Sequence, residues 1–249
     1  MAQQKGLIKI EGTLDNLTFY KSANGYQVRT KGGVSKDRIM NDPAFARTRE
    51  NGSEFGGSAS AGKLLRNSLG TMLFNAKDAK VSSRLLKVMS AVKNLDATSA
   101  RGARNVADGL LTAEGKMLLQ GFDFNGRAPL TSVLYCPYVL NATTGGISIP
   151  NLNAQMQLRF PDGATHFSMQ SAAVNVDFAT GSGEIRYSTT EVYEVTATTL
   201  SPNLVPSAVP AGAGVPMNLL LIQFFQRVNG INYALNNGSF NVLNLIQIG

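Results

Sequence analysis

Met217-Asn218-Leu219-Leu220-Leu221-Ile222-Gln223-Phe224-Phe225-Gln226 is apolar at odd and even positions alike. Successive side chains of a strand point to opposite faces, so a run of this kind has to be covered on both sides. A sandwich core on one face and a helix, a loop or a neighbouring subunit on the other would do so. Interrupted by Asn218 and Gln223, the run is also too short to cross a bilayer.

Outward from this stretch the pattern is β from Gly121 to the end. Leu130–Tyr135, Met156–Phe160, His166–Gln170, Val174–Phe178, Glu184–Tyr187, Val192–Thr199, Leu219–Val228, Ile231–Leu235 and Phe240–Ile248 read as strands. Turn signals divide them at Asn141 to Gly146, Pro161-Asp162-Gly163, Thr180-Gly181-Ser182-Gly183, Asn229-Gly230 and Asn236-Asn237-Gly238. Short strands with no helix between them predict an antiparallel β-sandwich or barrel. Leu200 to Pro216, with Pro202, Pro206, Pro210 and Pro216, is the one long connection and reads as an edge or crossing loop.

Upstream the period is helical. Asp42-Pro43 is an N-cap followed by proline at the first helical position, predicting a short helix to about Phe55 that Gly56-Gly57 stops. Leu64, Leu65, Leu69, Met72 and Leu73 recur at helical spacing to about Ala76. Asp78 can cap a further helix carrying Val81, Leu85, Val88, Met89 and Val92, and Ser99 begins a last helical stretch to about Leu119. The opening alternates instead: Leu7–Ile10, Leu17–Tyr20 and Tyr26–Thr30 form a meander with a tight hairpin at Asn24-Gly25. Three short strands are marginal alone, so the meander must pack on another domain or subunit. The fold class is therefore α+β: a β-meander or docking arm over 1–33, a basic helical region over 34–121 and an all-β domain over 122–249.

Charge follows the same division. Residues 1–127 hold 20 Lys and Arg against 11 Asp and Glu, a net +9, and residues 128–249 hold three against five, a net −2. Charged residues are only 16% of the chain, well below the roughly 25% of an ordinary soluble domain, which points to surface hidden in contacts. Lys77, Lys80, Arg84, Lys87, Lys93, Arg101 and Arg104 are the candidate contacts for a polyanion, non-specific nucleic acid foremost, met through phosphates rather than bases. No zinc-finger cysteines, RNP-like aromatic run or helix-turn-helix accompanies them.

Catalysis finds little footing. Gly57-Ser58-Ala59-Ser60-Ala61-Gly62-Lys63-Leu64 fits a phosphate-binding loop until Leu64, where a Ser or Thr is needed for magnesium, and no apolar strand precedes it. His166 has Asp162 or Asp177 as conceivable orienters but no assignable nucleophile. Glu191 and Glu194 sit at odd spacing and point to opposite faces of a strand. One cysteine, Cys136, and one histidine exclude a disulfide framework and a thiol-imidazole zinc site. The expectation is no enzyme, no metal and no cofactor.

Lys5-Gly6-Leu7-Ile8-Lys9-Ile10-Glu11-Gly12-Thr13, Thr18-Phe19-Tyr20-Lys21-Ser22 through Gly25-Tyr26, and Asn41-Asp42-Pro43-Ala44-Phe45-Ala46-Arg47-Thr48-Arg49-Glu50-Asn51-Gly52 resemble a family of uncharacterised proteins of similar length in Bacteroidetes, flavobacteria especially. The likeness covers most of the chain and is densest before residue 70. It implies a source, is compatible with a phage-like or mobile-element origin, and carries no catalytic residue over to this chain.

The functional expectation is a non-enzymatic structural subunit of a homomeric assembly: a phage-like virion, tail, filament or shell component. Its candidate subunit contacts are Leu7, Ile8, Ile10, Phe19, Tyr20, Tyr26, Phe224 and Phe225. The alternative is a non-specific nucleic-acid-binding protein using the basic helical half. With no signal-peptide pattern at the N-terminus and no membrane span, the expected location is cytoplasmic on synthesis, followed by assembly into a particle or release without a cleavable signal.

Overall fold

The computed structural model describes every residue except Met1, Lys31, Lys77, Asn236 and Asn237, and it divides into two compact units, Met1–Arg49 and Glu50–Gly249. It is an α+β protein with an N-terminal antiparallel sheet, central helices and a curled C-terminal antiparallel sheet.

In the first unit β1 (Ala2–Gln3), β2 (Gly12–Leu14), β3 (Leu17–Ser22) and β4 (Gly25–Thr30) form a sheet in the order β1-β4-β3-β2. Two-residue loops set the register: Asp15-Asn16 joins Leu14 to its partner Leu17, and Ala23-Asn24 joins Ser22 to Gly25. The second hairpin thus turns one residue earlier than expected, with Gly25 at φ 96° closing it. The first expected strand is also displaced: β1 is Ala2–Gln3, and Leu7–Ile10 lie in no strand. Ser35 caps α1 (Lys36–Asn41) by accepting from the Arg38 N–H, and Asp42 caps the 3-10 turn Pro43–Phe45 by accepting from the Ala44 N–H. The Asp42-Pro43 helix start is as expected.

The helix that follows does not stop at Gly56-Gly57. α2 runs from Ala46 to Ser68. Its buried positions, Glu54, Ser58, Gly62 and Leu65, form one stripe at helical spacing. The small residues in it allow close approach: a side chain at Gly62 would already touch Leu85 at 3.6 Å. Tertiary packing thereby overrides the low helix propensity of this glycine- and serine-rich stretch. α3 (Gly70–Asn75) and α4 (Val81–Lys93) follow; α4 buries Val81, Leu85, Met89 and Val92, the stripe legible in its sequence. The last helical stretch is two pieces, α5 (Val106–Gly109) and α6 (Ala113–Leu119), each started by a side-chain cap from Asn105 or Thr112.

The large sheet is built on β7 (His166–Asp177) and β11 (Val215–Val228), paired antiparallel from Val215↔Val176 to Phe225↔His166. The expected strands 166–170 and 174–178 are one strand, because Ser171 stays in the ladder and sends its hydroxyl to the Leu204 carbonyl at 2.7 Å. β8 (Ser182–Tyr187) and β9 (Glu191–Glu194) share the outer side of β7, while β12 (Ile231–Ala234) and β13 (Val242–Ile248) share that of β11.

Both faces of this sheet are covered, as the opening run requires. Ala172, Val174, Met217, Leu219, Leu221, Leu243 and Leu245 pack with Leu65, Leu69, Met72, Leu85 and Met89 of the helices. Phe167, Met169, Leu220, Ile222, Phe224 and Val242 pack on the opposite face with Val133, Ile147, Ile149, Leu152 and Leu204. That second layer holds a small sheet, β5 (Val139–Asn141), β6 (Gly146–Ser148) and β10 (Asn203–Leu204), in the order β10-β6-β5. It also holds two single-turn helices where strands were expected, α7 (Leu130–Val133) and α8 (Ala154–Gln157). Four residues are too few to display a helical period; the extended backbone comes just after each turn, where Leu134 and Leu158 bridge. Helices and sheet share one core, so the segments read as 34–121 and 122–249 both contribute to the second unit, and the division falls at Arg49 and Glu50.

Candidate functional site

The register of the N-terminal sheet places Leu14, Leu17, Phe19, Lys21, Tyr26 and Val28 on one face and Thr13, Thr18, Tyr20, Gln27 and Arg29 on the other. The first face is apolar, yet no described residue from Ala2 to Arg49 is buried. Leu7, Ile8, Ile10, Leu14, Leu17, Val34 and Met40 are between 41% and 104% exposed. Phe19, Tyr20 and Tyr26 are half-buried. Cations flank two of these rings: Lys9 and Lys21 lie 5.8 and 5.5 Å from the Tyr26 centroid, and Arg29 lies 5.6 Å from that of Tyr20.

Of the expected subunit contacts, Leu7, Ile8 and Ile10 are open to solvent, and Phe224 is not available. It is 1% exposed, inside the core beneath the large sheet, while the adjacent Phe225 is half-buried. Leu14, Leu17, Val34 and Met40 belong to the exposed set and were not singled out in the sequence. The Leu14/Leu17/Phe19 alternation would have revealed two of them once the Asp15-Asn16 turn was placed.

The basic helical residues are largely matched by acids. Arg84 reaches Asp78 at 2.6 Å, donates to the carbonyls of Asp123 and Phe124 at 2.7 and 3.1 Å, and stacks 5.1 Å from the Phe122 centroid. Arg101 lies 3.3 Å from Glu50. Lys93 and Arg104 both donate to Glu54, which is 2% exposed. The Arg104 guanidinium, the Lys93 ammonium and the Gly102 N–H hold the Glu54 carboxyl far below the usual carboxylate range. Beside it, burial opposes ionisation of Asp96, and hydrogen bonds from Ser99, Thr98 and Asn105 more than offset it, so its pKa is lowered as well. Lys80 and Lys87 are exposed, and Lys77 lies outside the described residues. The charge excess is concentrated elsewhere: residues 1–49 carry nine Lys and Arg against four Asp and Glu, a net +5 of the chain's +7.

The residues considered for chemistry are dispersed. Gly57 to Lys63 lies inside α2, where the backbone N–H groups are committed to helical bonds and cannot cradle a phosphate. His166 and Asp177 are the two ends of β7, about 36 Å apart by strand rise, so Asp177 cannot orient the imidazole. His166 Nδ1 lies 3.0 Å from the Thr165 hydroxyl. Burial pushes the Cys136 thiol up, away from the thiolate a nucleophile needs. Among the described residues no group of three or more His, Cys, Asp or Glu could hold a metal ion, and no helix is long and apolar enough to cross a membrane. No protein-family model, curated protein or solved structure matches this chain.

Proposed function

We propose that this chain is a structural subunit of a homomeric assembly, a virion, tail, filament or shell component, with the N-terminal unit as its docking element. One observation carries the reading: the unit Ala2–Arg49 has an apolar sheet face and a set of exposed aliphatic side chains, yet none of its described residues is buried. A sheet of short strands with no buried residue lacks the apolar burial that offsets the entropy of ordering it. Contact with another copy supplies that burial. Both edge strands of the sheet, β1 and β2, are short and exposed, and exposed sheet edges are the usual substrate for strand addition.

Size-exclusion chromatography with light scattering on the purified full chain tests this, and electron microscopy of the product assigns its form. Concentration-dependent rings, tubes or particles are expected; a monomer at every concentration up to the solubility limit would refute the reading. The nucleic-acid alternative rests on the helical cations, four of which (Arg84, Lys93, Arg101 and Arg104) are paired with acids. A mobility shift at low salt that Lys80→Ala/Lys87→Ala abolishes would favour that alternative.

A further inference from the structure

We propose that Leu7–Ile10 of one copy adds as a strand to the outer edge of β9 in a second copy, making a head-to-tail contact. The inference rests on the assembly reading and specifies its interface.

Leu7-Ile8-Lys9-Ile10 has the alternation of a strand but lies in none, with Leu7 104% and Ile8 82% exposed. The side-chain amide of Gln4 stands where a neighbouring strand would: its oxygen accepts the Ile10 N–H at 3.0 Å and its nitrogen donates to the Ile10 carbonyl at 3.1 Å. Backbone groups met by a side chain, as those of Ile10 are, can be exchanged for a ladder once the bends at Leu7 and Ile8 straighten. Lys9 would have to leave the Gln4 carbonyl and the Tyr26 ring in the exchange.

The acceptor is β9, Glu191-Val192-Tyr193-Glu194, which pairs with β7 on one side; among the described residues no strand pairs with its other side. It matches Leu7–Ile10 in length, Val192 is 43% exposed on it, and it carries two glutamates and no cation. Tyr193 donates to Glu191 and Thr196 to Glu194, so both carboxylates are met by neutral hydroxyls. The donor segment contains Lys9, is preceded by Lys5 and followed by Glu11, and belongs to a unit of net charge +5, so the two surfaces are complementary in charge, whereas two N-terminal units facing each other would repel. Because donor and acceptor are different surfaces, the contact is heterologous and repeats, closing into a ring or extending as a filament.

A charge swap in the full chain tests this by light scattering at low salt. Lys5→Glu/Lys9→Glu and Glu191→Lys/Glu194→Lys should each raise the concentration needed for assembly about tenfold or more, and an equimolar mixture of the two should restore it. If either variant melts below wild type, Lys9→Gln and Glu194→Gln replace them, each with a several-fold shift expected. Wild-type assembly that neither pair of variants alters would overturn this contact and leave the assembly reading standing; a wild-type monomer would overturn both. Binding to phosphatidylserine vesicles or single-stranded DNA that Lys5→Glu/Lys9→Glu abolishes, with assembly unchanged, would overturn the contact in favour of an anionic partner.

Discussion

Glu54 of α2 and Arg104 of the loop before α5 meet in a two-point pairing, Nε to Oε1 and Nη2 to Oε2, each at 2.8 Å. The fork geometry of arginine suits a carboxylate held in place, and Lys93 and the Gly102 N–H complete the shell around Glu54. A buried carboxylate with these partners ties α2, the end of α4 and the 94–105 loop together, and removing one member leaves the others' charges unmatched.

Glu54→Gln is expected to lower the melting temperature at neutral pH. The pH dependence has a definite sign. A carboxyl whose pKa is lowered by folding contributes stability above its unfolded value, about 4.3 for glutamate, and loses it as the pH falls toward the folded value. Wild-type stability should therefore be flat above about pH 5 and fall below about pH 4. Glu54→Gln should flatten part of that acid limb, and an unchanged limb would show that Glu54 does not contribute to it.

Glycine substitutions should split by position. A Cβ at Gly56 or Gly57 meets nothing within 4 Å, so alanine there should stabilise α2 by about 0.5–1 kcal/mol each. A Cβ at Gly109 would run into the Val92 carbonyl, so Gly109→Ala should destabilise by about 1–3 kcal/mol. Urea denaturation of the three variants measures both signs.

The two cores share the sheet and should unfold together. Leu219 points into the helix-facing core and Ile222 into the opposite one, both fully buried. Alanine at either site should cost about 2–5 kcal/mol and shift a single denaturation transition of residues 50–249. Two separate transitions would contradict a common core.

Hydrogen exchange should separate the units. Amides of β1 to β4 should exchange quickly in dilute protein, since no buried side chain protects them, while those of β7 and β11 approach global protection. Raising the concentration into the assembly range should slow exchange in residues 2–30. Equal protection in dilute and assembled samples would count against the N-terminal unit as the docking element.

Local signals are legible in the sequence alone. The Asn229-Gly230 turn has both residues at positive φ, 51° and 80°, as a two-residue hairpin requires. The Val81/Leu85/Met89/Val92 stripe is the buried face of α4, and the 217–226 run is covered on both sides. Each of these depends on residues within a few positions of one another, which is the range over which backbone geometry and side-chain periodicity act. What the tertiary structure decided involves distant partners. α2 continues through Gly56-Gly57 because α4 packs against its small-residue stripe, and cations of the helical half meet acids far away in the chain, as Arg104 meets Glu54 fifty positions before it. The absence of a buried side chain among the described residues of 2–49 is of the same kind, since an alternating pattern states which side of a strand is apolar and only the folded chain shows whether anything covers it.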